Sequence, residues 1–526
     1  MRLIHRSAVR AIFGVFALLA AIRLEPACAQ SVDATIWPTK EWLASTPEEQ
    51  GMDSSALAGF VATGAGRGFD SLLVVRHGRI VTEAYYAPYT AGIPHQIHSS
   101  TKAIISTLIG MLVKDGVLDR LDHPVLDFFA DRRIANVDAR KSAITFQNLL
   151  DMTSGFDWDQ GIEDGNEPTL IEMSLSANWT RFILDRPMAH SPGEVFNYAD
   201  ANPNLASAII TRLTGKLAED YAREKLFGPL GIAAWHWDRD PQGLTMGSWA
   251  LTMLPQDMAK IGYLYLHRGE WEGKRLLPAG WADVLNHASV DMRASFDRGL
   301  RYSNFFWVFP ERHAYMAVGW HGQLIAVFPD LDVVTVVTGH QFVRFGDVID
   351  GVSGAVKSAT ALPPSPTGAA LLANAIEDVA VEKPTAARPM PEIASAISGK
   401  TYRFPGNALG LKSLTLFLAD ANPRYEFEID LRYPINMYDI SGIFSTPLGL
   451  DGRYRKSAPK PWGINPGRIT AAKGTWLNGE TFQIDSQDLG FGGTSRLLLS
   501  FNGRKLDLVR LDEWGRKISL QGERDD

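Results

Sequence analysis

The sequence predicts an α+β layered domain followed by a separate all-β domain. Three observations carry this expectation. Strand-like apolar runs stand near Ser71 and again between Phe305 and Thr338, with helical patterning between them. Strands at both ends of a helical middle fold most simply into one antiparallel sheet flanked by helices. Proline-rich stretches at 362–367 and 382–391 then interrupt the chain, and beyond them come glycine-punctuated segments of alternating polarity. That last pattern belongs to an antiparallel sandwich or barrel.

The elements follow in order. Residues 71–76 and 79–86 are two strands joined by a tight turn at His77-Gly78. Residues 103–113 form an apolar helix that stops at Lys114-Asp115-Gly116. The span from about 140 to 235 is helical and rich in loops, with turns at Thr153-Ser154-Gly155 and Ser191-Pro192-Gly193, and 254–267 has helical periodicity. Residues 305–309, 323–328 and 332–338 return to the first sheet as strands. In the last part, 414–418, 424–429 and 495–500 are representative short strands. The expected division is 1–29 signal peptide, 30–362 first domain, 363–391 linker around a short helical stretch, and 392–526 antiparallel β domain.

Composition narrows the class of function. The 526 residues are 45% hydrophobic and 21% charged with a net charge of −7, an ordinary balance for a globular chain with a large core. No basic stretch interleaved with aromatics is present, so a nucleic-acid partner has no support. The amino terminus reads as an export signal: Arg2, Arg6 and Arg10, then the apolar run 11–22, then Ala27-Cys28-Ala29 as a cleavage signature. Cleavage after Ala29 would remove the single cysteine and predicts a periplasmic or secreted protein without disulfides. No later stretch is long and apolar enough for a membrane-spanning helix, so no integral membrane segment is expected in the mature chain.

The chemistry is carried by Ser99 and Lys102, three residues apart at the start of the apolar helix. Positions i and i+3 share a helix face, so hydroxyl and amine can meet. A desolvated lysine can act as base toward that serine, which implies acyl transfer through a serine ester. The same four-residue pattern recurs at Ser457-Ala458-Pro459-Lys460, within a run of Lys, Pro, Trp and Gly that reads as a loop. Only the first copy precedes a buried helix.

Further segments fall in an order that resembles the serine hydrolases related to class C β-lactamases and DD-peptidases, among them esterases and 6-aminohexanoate-oligomer hydrolases. The markers are Ser99-Ser100-Thr101-Lys102, the segment 149–155, the segment 192–200, the segment 227–231, and Gly319-Trp320-His321-Gly322-Gln323. The resemblance covers roughly residues 51–340. It implies a β-lactamase/penicillin-binding-protein-like domain and a mechanism that needs no cofactor. In that mechanism Ser99 is the nucleophile and Lys102 the base. Tyr198, in the position of the family's Tyr-x-Asn tyrosine, bridges serine, lysine and leaving group. The backbone N–H groups of Ser99 and Gln323 form an oxyanion hole. Lys102 would then have to be neutral or nearly so, a drop from about 10.4 to about 7–8 that costs the cation roughly 3–5 kcal/mol. Which of Lys102 and Tyr198 carries the proton stays open.

Two departures from the family pattern shape the expected substrate. Asp200 stands where the family has asparagine, and an ionised carboxylate beside Lys102 would oppose its role as base. Either Asp200 points elsewhere or an amide, Asn202 or Asn204, substitutes. The family's Lys-Thr-Gly reads Trp320-His321-Gly322 here, which removes a cation that would hold an acidic substrate. Trp320 offers an apolar wall, His321 a hydrogen bond, and Gly322 room for substrate to approach the strand. Trp158 is a further candidate for the pocket lining, as are Phe156 and Trp179. The expected partner is an uncharged ester, or an amide with an apolar acyl part. The rivals are a β-lactam or peptidoglycan peptide on the same machinery, and a non-catalytic envelope sensor. His95, His98, His321 and His340 lack metal-ligand spacing, and no metal is expected.

Overall fold

The computed structural model describes residues 35–161, 166–292, 299–385, 389–433, 438–462, 465–512 and 515–525. The expected signal peptide, 1–29, lies outside the described residues.

The first sheet is built from seven principal strands. They are β1 (Phe69–Arg76), β2 (Arg79–Tyr85), β3 (Arg301–Ser303), β4 (Phe306–Phe309), β5 (Ala314–Gly319), β6 (Gln323–Phe328) and β7 (Val333–Gly339). Their order is β2-β1-β7-β6-β5-β4-β3, with the two-residue strands Leu43–Ala44 and Val290–Asp291 at the edges. Every pairing is antiparallel except that of Leu43–Ala44 with β2. The β1–β2 turn uses His77 and Gly78 at φ 48° and 71°, the left-handed pair that matches strand twist. Val333 pairs with Arg76 and Val337 with Leu72, so residues more than 250 apart in sequence close the sheet. Both faces are covered. Helix α4 (Pro255–Leu266) packs on β6 and β7, while α1 (Ser54–Ala65) and α5 (Phe345–Ala355) pack together on the β1 side.

Helix α2 (Thr101–Lys114) is buried from Thr101 through Leu112 and packs against α3 (Ala201–Thr214). A helix apolar all round belongs in the middle of a domain, and here it presents its first turn to the end of β5. The span 363–391 is not a simple tether. Residues Pro366–Ala380 form α6, capped by the Ser365 hydroxyl, and Leu372 is buried against the first core.

The carboxy-terminal part is an eleven-stranded antiparallel sheet with its own core around Tyr402, Leu414, Phe482, Leu499 and Leu506. Its principal strands are β8 (Thr401–Arg403), β9 (Leu411–Phe417), β10 (Arg424–Tyr433), β11 (Tyr438–Pro447), β12 (Asn465–Trp476), β13 (Thr481–Leu489), β14 (Thr494–Asn502), β15 (Lys505–Asp512) and β16 (Lys517–Arg524). The order runs β11-β10-β9-β8-β16-β15-β14-β13-β12. The two ends of that order then meet. Gly449, just past β11, accepts from Gly474 at 2.9 Å and donates to Ala472 at 3.2 Å. The choice between sandwich and barrel is thereby resolved as a nearly closed barrel.

Candidate active site

The backbone brings Ser99 and Gln323 to one place. Ser99 lies in the tight turn His98–Ser100 that leads into α2. The neighbouring Ser100 hydroxyl donates to the Gln323 carbonyl at 2.9 Å, tying the helix start to the start of β6. The Gln323 side chain donates to the Gly339 carbonyl at 2.6 Å, which points that side chain into the sheet and leaves its backbone to the cleft.

Lys102 is buried one turn along, and its Nζ donates to Ser99 Oγ at 2.8 Å and to the Ser248 carbonyl at 2.9 Å. Asp200 Oδ1 lies 2.7 Å from the same nitrogen, and both side chains are buried. The Tyr198 hydroxyl hydrogen-bonds Ser99 and Lys102, and Lys102 Nζ sits 4.9 Å from the Tyr198 ring centroid. Tyr302 and Trp307 pack against the Tyr198 ring from two sides. Four side chains from two separate segments, 99–102 and 198–200, thus share one enclosed cluster, with the Ser248 carbonyl from a third.

The electrostatics correct one expectation. Burial alone would push the Lys102 ammonium down, but the adjacent Asp200 carboxylate outweighs it, and the lysine is held above its ordinary value. The resting amine is charged rather than neutral. Burial raises the Tyr198 phenol despite the neighbouring ammonium. Nor does Asp200 point elsewhere, and no amide takes its place. Asn202 donates to the Met152 sulfur, while Asn204 donates to the Asp200 carbonyl and the Ser248 hydroxyl and accepts from the Gly247 N–H.

Asp200 is itself held in place. Gln160 Nε2 donates to Asp200 Oδ2 at 3.1 Å, and the Asp200 N–H donates back to Gln160 Oε1 at 3.2 Å. The Trp158 indole N–H donates to that same Gln160 oxygen at 2.8 Å. Trp158 is only 4% exposed, so the structure makes it a support for Gln160 instead of a wall of the pocket. Phe156 and Trp179 are likewise buried in the core. Glu167, also bonded by Gln160, is pushed up to about 7 by burial and then by the Asp200 charge.

The segment 320–323 behaves differently from residue to residue. Trp320 is 42% exposed, the one large aromatic of the segment open to solvent. His321 adopts φ 58° and stacks edge-on with His98, ring centroids 5.6 Å apart. Gly322 adopts φ 84°, and a Cβ there would come within 2.3 Å of Val343. Its glycine character therefore answers to backbone conformation and to Val343, not to room for substrate.

One wall of the site comes from the barrel, which nothing in the sequence predicted. The loop between β13 and β14 lies against the turn that carries Ser99. Gly490 accepts from the Gln96 N–H at 2.6 Å, and His98 donates to the Phe491 carbonyl. A Cβ on Gly490 would strike the Pro94 carbonyl at 2.1 Å, and one on Gly492 the His321 ring at 2.3 Å. Burial drives the His98 imidazole down to about 3, with the nearby His321 contributing, so it stays neutral. Glycines at 490 and 492 are legible in sequence, but their partners, Pro94 and His321, lie 396 and 171 residues earlier in the chain and are not. Gln160 and the Ser248 carbonyl were missed for the same reason.

His95 and His340 belong to another cluster, on either side of the buried Asp70 carboxylate at 3.7 and 2.6 Å. The second Ser-x-x-Lys does not assemble: the Ser457 hydroxyl bonds the Ala458 carbonyl and accepts from the Thr470 N–H, while Lys460 donates to the Ser445 carbonyl.

A family model described as Beta-lactamase matches residues 48–352. The chain belongs to the beta-lactamase family. Its fold, with the barrel appended, is that of a beta-lactamase-family serine hydrolase. Among curated relatives, the 6-aminohexanoate-dimer hydrolase of Paenarthrobacter ureafaciens is 23% identical over 291 residues, which are 51% of this chain and 71% of that protein. Protein flp of Staphylococcus aureus (strain MW2) is 27% identical over 171 residues, 30% of this chain and 33% of that protein. Among solved structures, EstCE1, a hydrolase with promiscuous acyltransferase activity, superposes with TM-score 0.49 at 16% identity, covering 57% of this chain and 99% of that chain. Among the described residues, no helix is long and apolar enough to cross a membrane.

Proposed function

We propose that this beta-lactamase-family hydrolase is exported and cleaves an uncharged ester, or an amide with an apolar acyl part, through an acyl-enzyme on Ser99. The observation that carries the reading is the 2.8 Å contact from Lys102 Nζ to Ser99 Oγ inside a cluster that also holds Tyr198 and Asp200. The ammonium of the resting site becomes a base by passing a proton to Asp200 Oδ1 across 2.7 Å. A dry cleft favours that transfer, because a neutral pair is less penalised by lost solvation than an ion pair. The freed Lys102 lone pair takes the Ser99 proton as Oγ attacks the carbonyl carbon. The backbone N–H groups of Ser99 and Gln323 receive the developing oxyanion. Tyr198, bonded to both Ser99 and Lys102, gives its proton to the leaving alcohol or amine and takes back the Ser99 proton held by Lys102; water then attacks the acyl ester, its proton passing through the same pair to Ser99 Oγ as the acid is released.

The substrate reading rests on Trp320-His321-Gly322. This tip carries no lysine or arginine, and its exposed element is an indole. The 6-aminohexanoate-dimer hydrolase among the relatives is in keeping with an amide outside the β-lactams. Export rests on Arg2, Arg6, Arg10, the apolar run 11–22 and Ala27-Cys28-Ala29. It is checked by the mature amino terminus, expected at Gln30, of protein recovered from the cell envelope or medium.

Intact-mass detection of acyl adducts tests the function, with p-nitrophenyl esters, short amide oligomers and a chromogenic cephalosporin in parallel. Adducts from esters or amides that vanish in Ser99→Ala are expected. Turnover of the cephalosporin alone overturns the substrate assignment, and absence of any adduct together with no fluorophosphonate labelling overturns the enzyme.

A further inference from the structure

The barrel encloses a second cavity, of about 380 Å³, in the range of small-molecule sites. Eight of its strands, β9 to β16, turn side chains into it, and a barrel of about that many strands is wide enough to hold one small ligand. The alternation is strict along β10. Phe427, Ile429 and Leu431 face the cavity, while the intervening Glu428 and Asp430 do not.

The lining is divided. Phe427, Ile429, Leu431 and Ile440 are contributed by the adjacent strands β10 and β11, with Leu431 directly opposite Ile440 in the ladder. The cationic groups stand beside and opposite these strands: Arg468 on β12, which meets β11 where the barrel closes, Lys460 next to it on the Ser445 carbonyl, and Arg510 on β15 across the barrel. Among the described residues, Arg468, Arg510 and Lys460 line the cavity with one carboxylate, Asp488. Arg468 pairs with Asp488, which also accepts from the Thr470 hydroxyl at 2.7 Å, and Arg510 donates to the Ser495 hydroxyl at 3.2 Å. Burial weakens the Lys460 ammonium. Among the described lining residues cations outnumber carboxylates, and partly desolvated cations are stabilised by an anionic partner.

We propose that the barrel interior binds an amphipathic acid, with its carboxylate on Arg510, Arg468 and Lys460 and its apolar chain along Phe427, Ile429 and Leu431. Asp488, Arg468 and Ser495 lie toward the hydrolase domain. Asp488 and Ser495 flank the loop whose Gly490 and Gly492 abut Pro94 and His321, and the Arg468 guanidinium lies over the Phe491 ring at 5.5 Å. The acid is therefore bound behind the loop that walls the Ser99 cleft, in a site separate from that cleft. This assignment stands whether or not Ser99 is a nucleophile.

Titration of the full-length protein with 11-(dansylamino)undecanoic acid tests it. Saturable, one-to-one binding with blue-shifted emission is expected. It is expected unchanged after fluorophosphonate blocks Ser99 and in Ser99→Ala. Arg510→Gln is expected to weaken it about tenfold, the loss of roughly one charge-assisted contact. Ile429→Trp, which fills the cavity from its apolar wall, is expected to abolish it while ester turnover is retained. A dansyl-undecyl alcohol of the same chain length is expected to bind at least about tenfold more weakly than the acid. The proposal falls if binding is absent, if it is lost on blocking Ser99, or if acid and alcohol bind alike. It falls equally if Arg510→Gln leaves binding unchanged, whatever the folding of Ile429→Trp.

Discussion

Ser99-Ser100-Thr101-Lys102 and Ser457-Ala458-Pro459-Lys460 share a four-residue pattern and almost nothing else. In the first, the chain enters a helix, so serine and lysine lie on one face and Nζ reaches Oγ at 2.8 Å. In the second, Pro459 removes a donor and the segment runs as an irregular stretch into a short strand, Lys460–Trp462. Its lysine turns to the Ser445 carbonyl. The charges differ as well. Both amines are weakened by loss of water, but only Lys102 has a carboxylate in contact, and that contact reverses the direction of its shift. Spacing nominates a pair; the backbone and the third partner decide what it becomes.

The sharpest way to break the comparison is to remove both serines. Ser99→Ala is expected to reduce ester or amide turnover by about 10⁴-fold or more, and Ser457→Ala to leave kcat/KM unchanged. Comparable losses in the two variants would sink the distinction. Next in size is the lysine pair. Lys102→Met strands Asp200 as a buried carboxylate, a loss of about 3–5 kcal/mol readable by denaturant unfolding. The double variant with Asp200→Asn should recover most of that stability, because the stranded charge is gone. Lys460→Met, at a half-buried amine that donates to the Ser445 carbonyl, should cost far less.

The effect of the carboxylate on the lysine is sharpened by Asp200→Asn alone. With the carboxylate gone, Lys102 has no acceptor for its proton and must already be neutral when Ser99 attacks, so the acid limb of the kcat/KM profile should move to higher pH by at least about one unit. An unmoved limb would mean that Lys102 does not govern it.

The smallest expected effect is at Glu167. Its carboxyl is raised from its ordinary value to about 7, so the folded state holds this proton more tightly than the unfolded chain. The stability it confers is complete below about pH 4.5 and is lost as pH rises through about 7. Glu167→Gln should therefore be the more stable protein at pH 8 by on the order of 1–3 kcal/mol, with the difference shrinking toward pH 5. Equal unfolding midpoints at both pH values would contradict the shift.

Reading residues in order recovers most of the first domain's frame. The β1–β2 hairpin, α2 with its stop at Lys114, α4, β6 and β7 all fall where hydrophobic period and turn residues place them. Strand β5, residues 314–319, is not visible that way, because its Ala-Tyr-Met-Ala-Val-Gly lacks the run of branched apolar residues that marks β7. The span 363–391 looks like a linker by its prolines, yet Leu372 docks a helix on α1's side of the core. In the site, Ser99, Lys102, Tyr198 and Gln323 are marked by family motifs. Trp158 is marked by its aromatic character, which does not reveal whether a ring lines a pocket or supports a glutamine behind one.

By itself the sequence determined the plan of a layered domain followed by an antiparallel β domain, and the meeting of a serine hydroxyl with a lysine amine on one helical turn. These are local properties, set by period, turn chemistry and i,i+3 geometry. Only the tertiary structure decided that the lysine is charged, that Asp200 and not an amide faces it, and that a barrel loop walls the cleft. Each depends on groups far apart in the chain. A proton's affinity and a pocket's boundary are set by whatever charge, dipole or backbone ends within a few ångströms, and chain order carries no record of that distance.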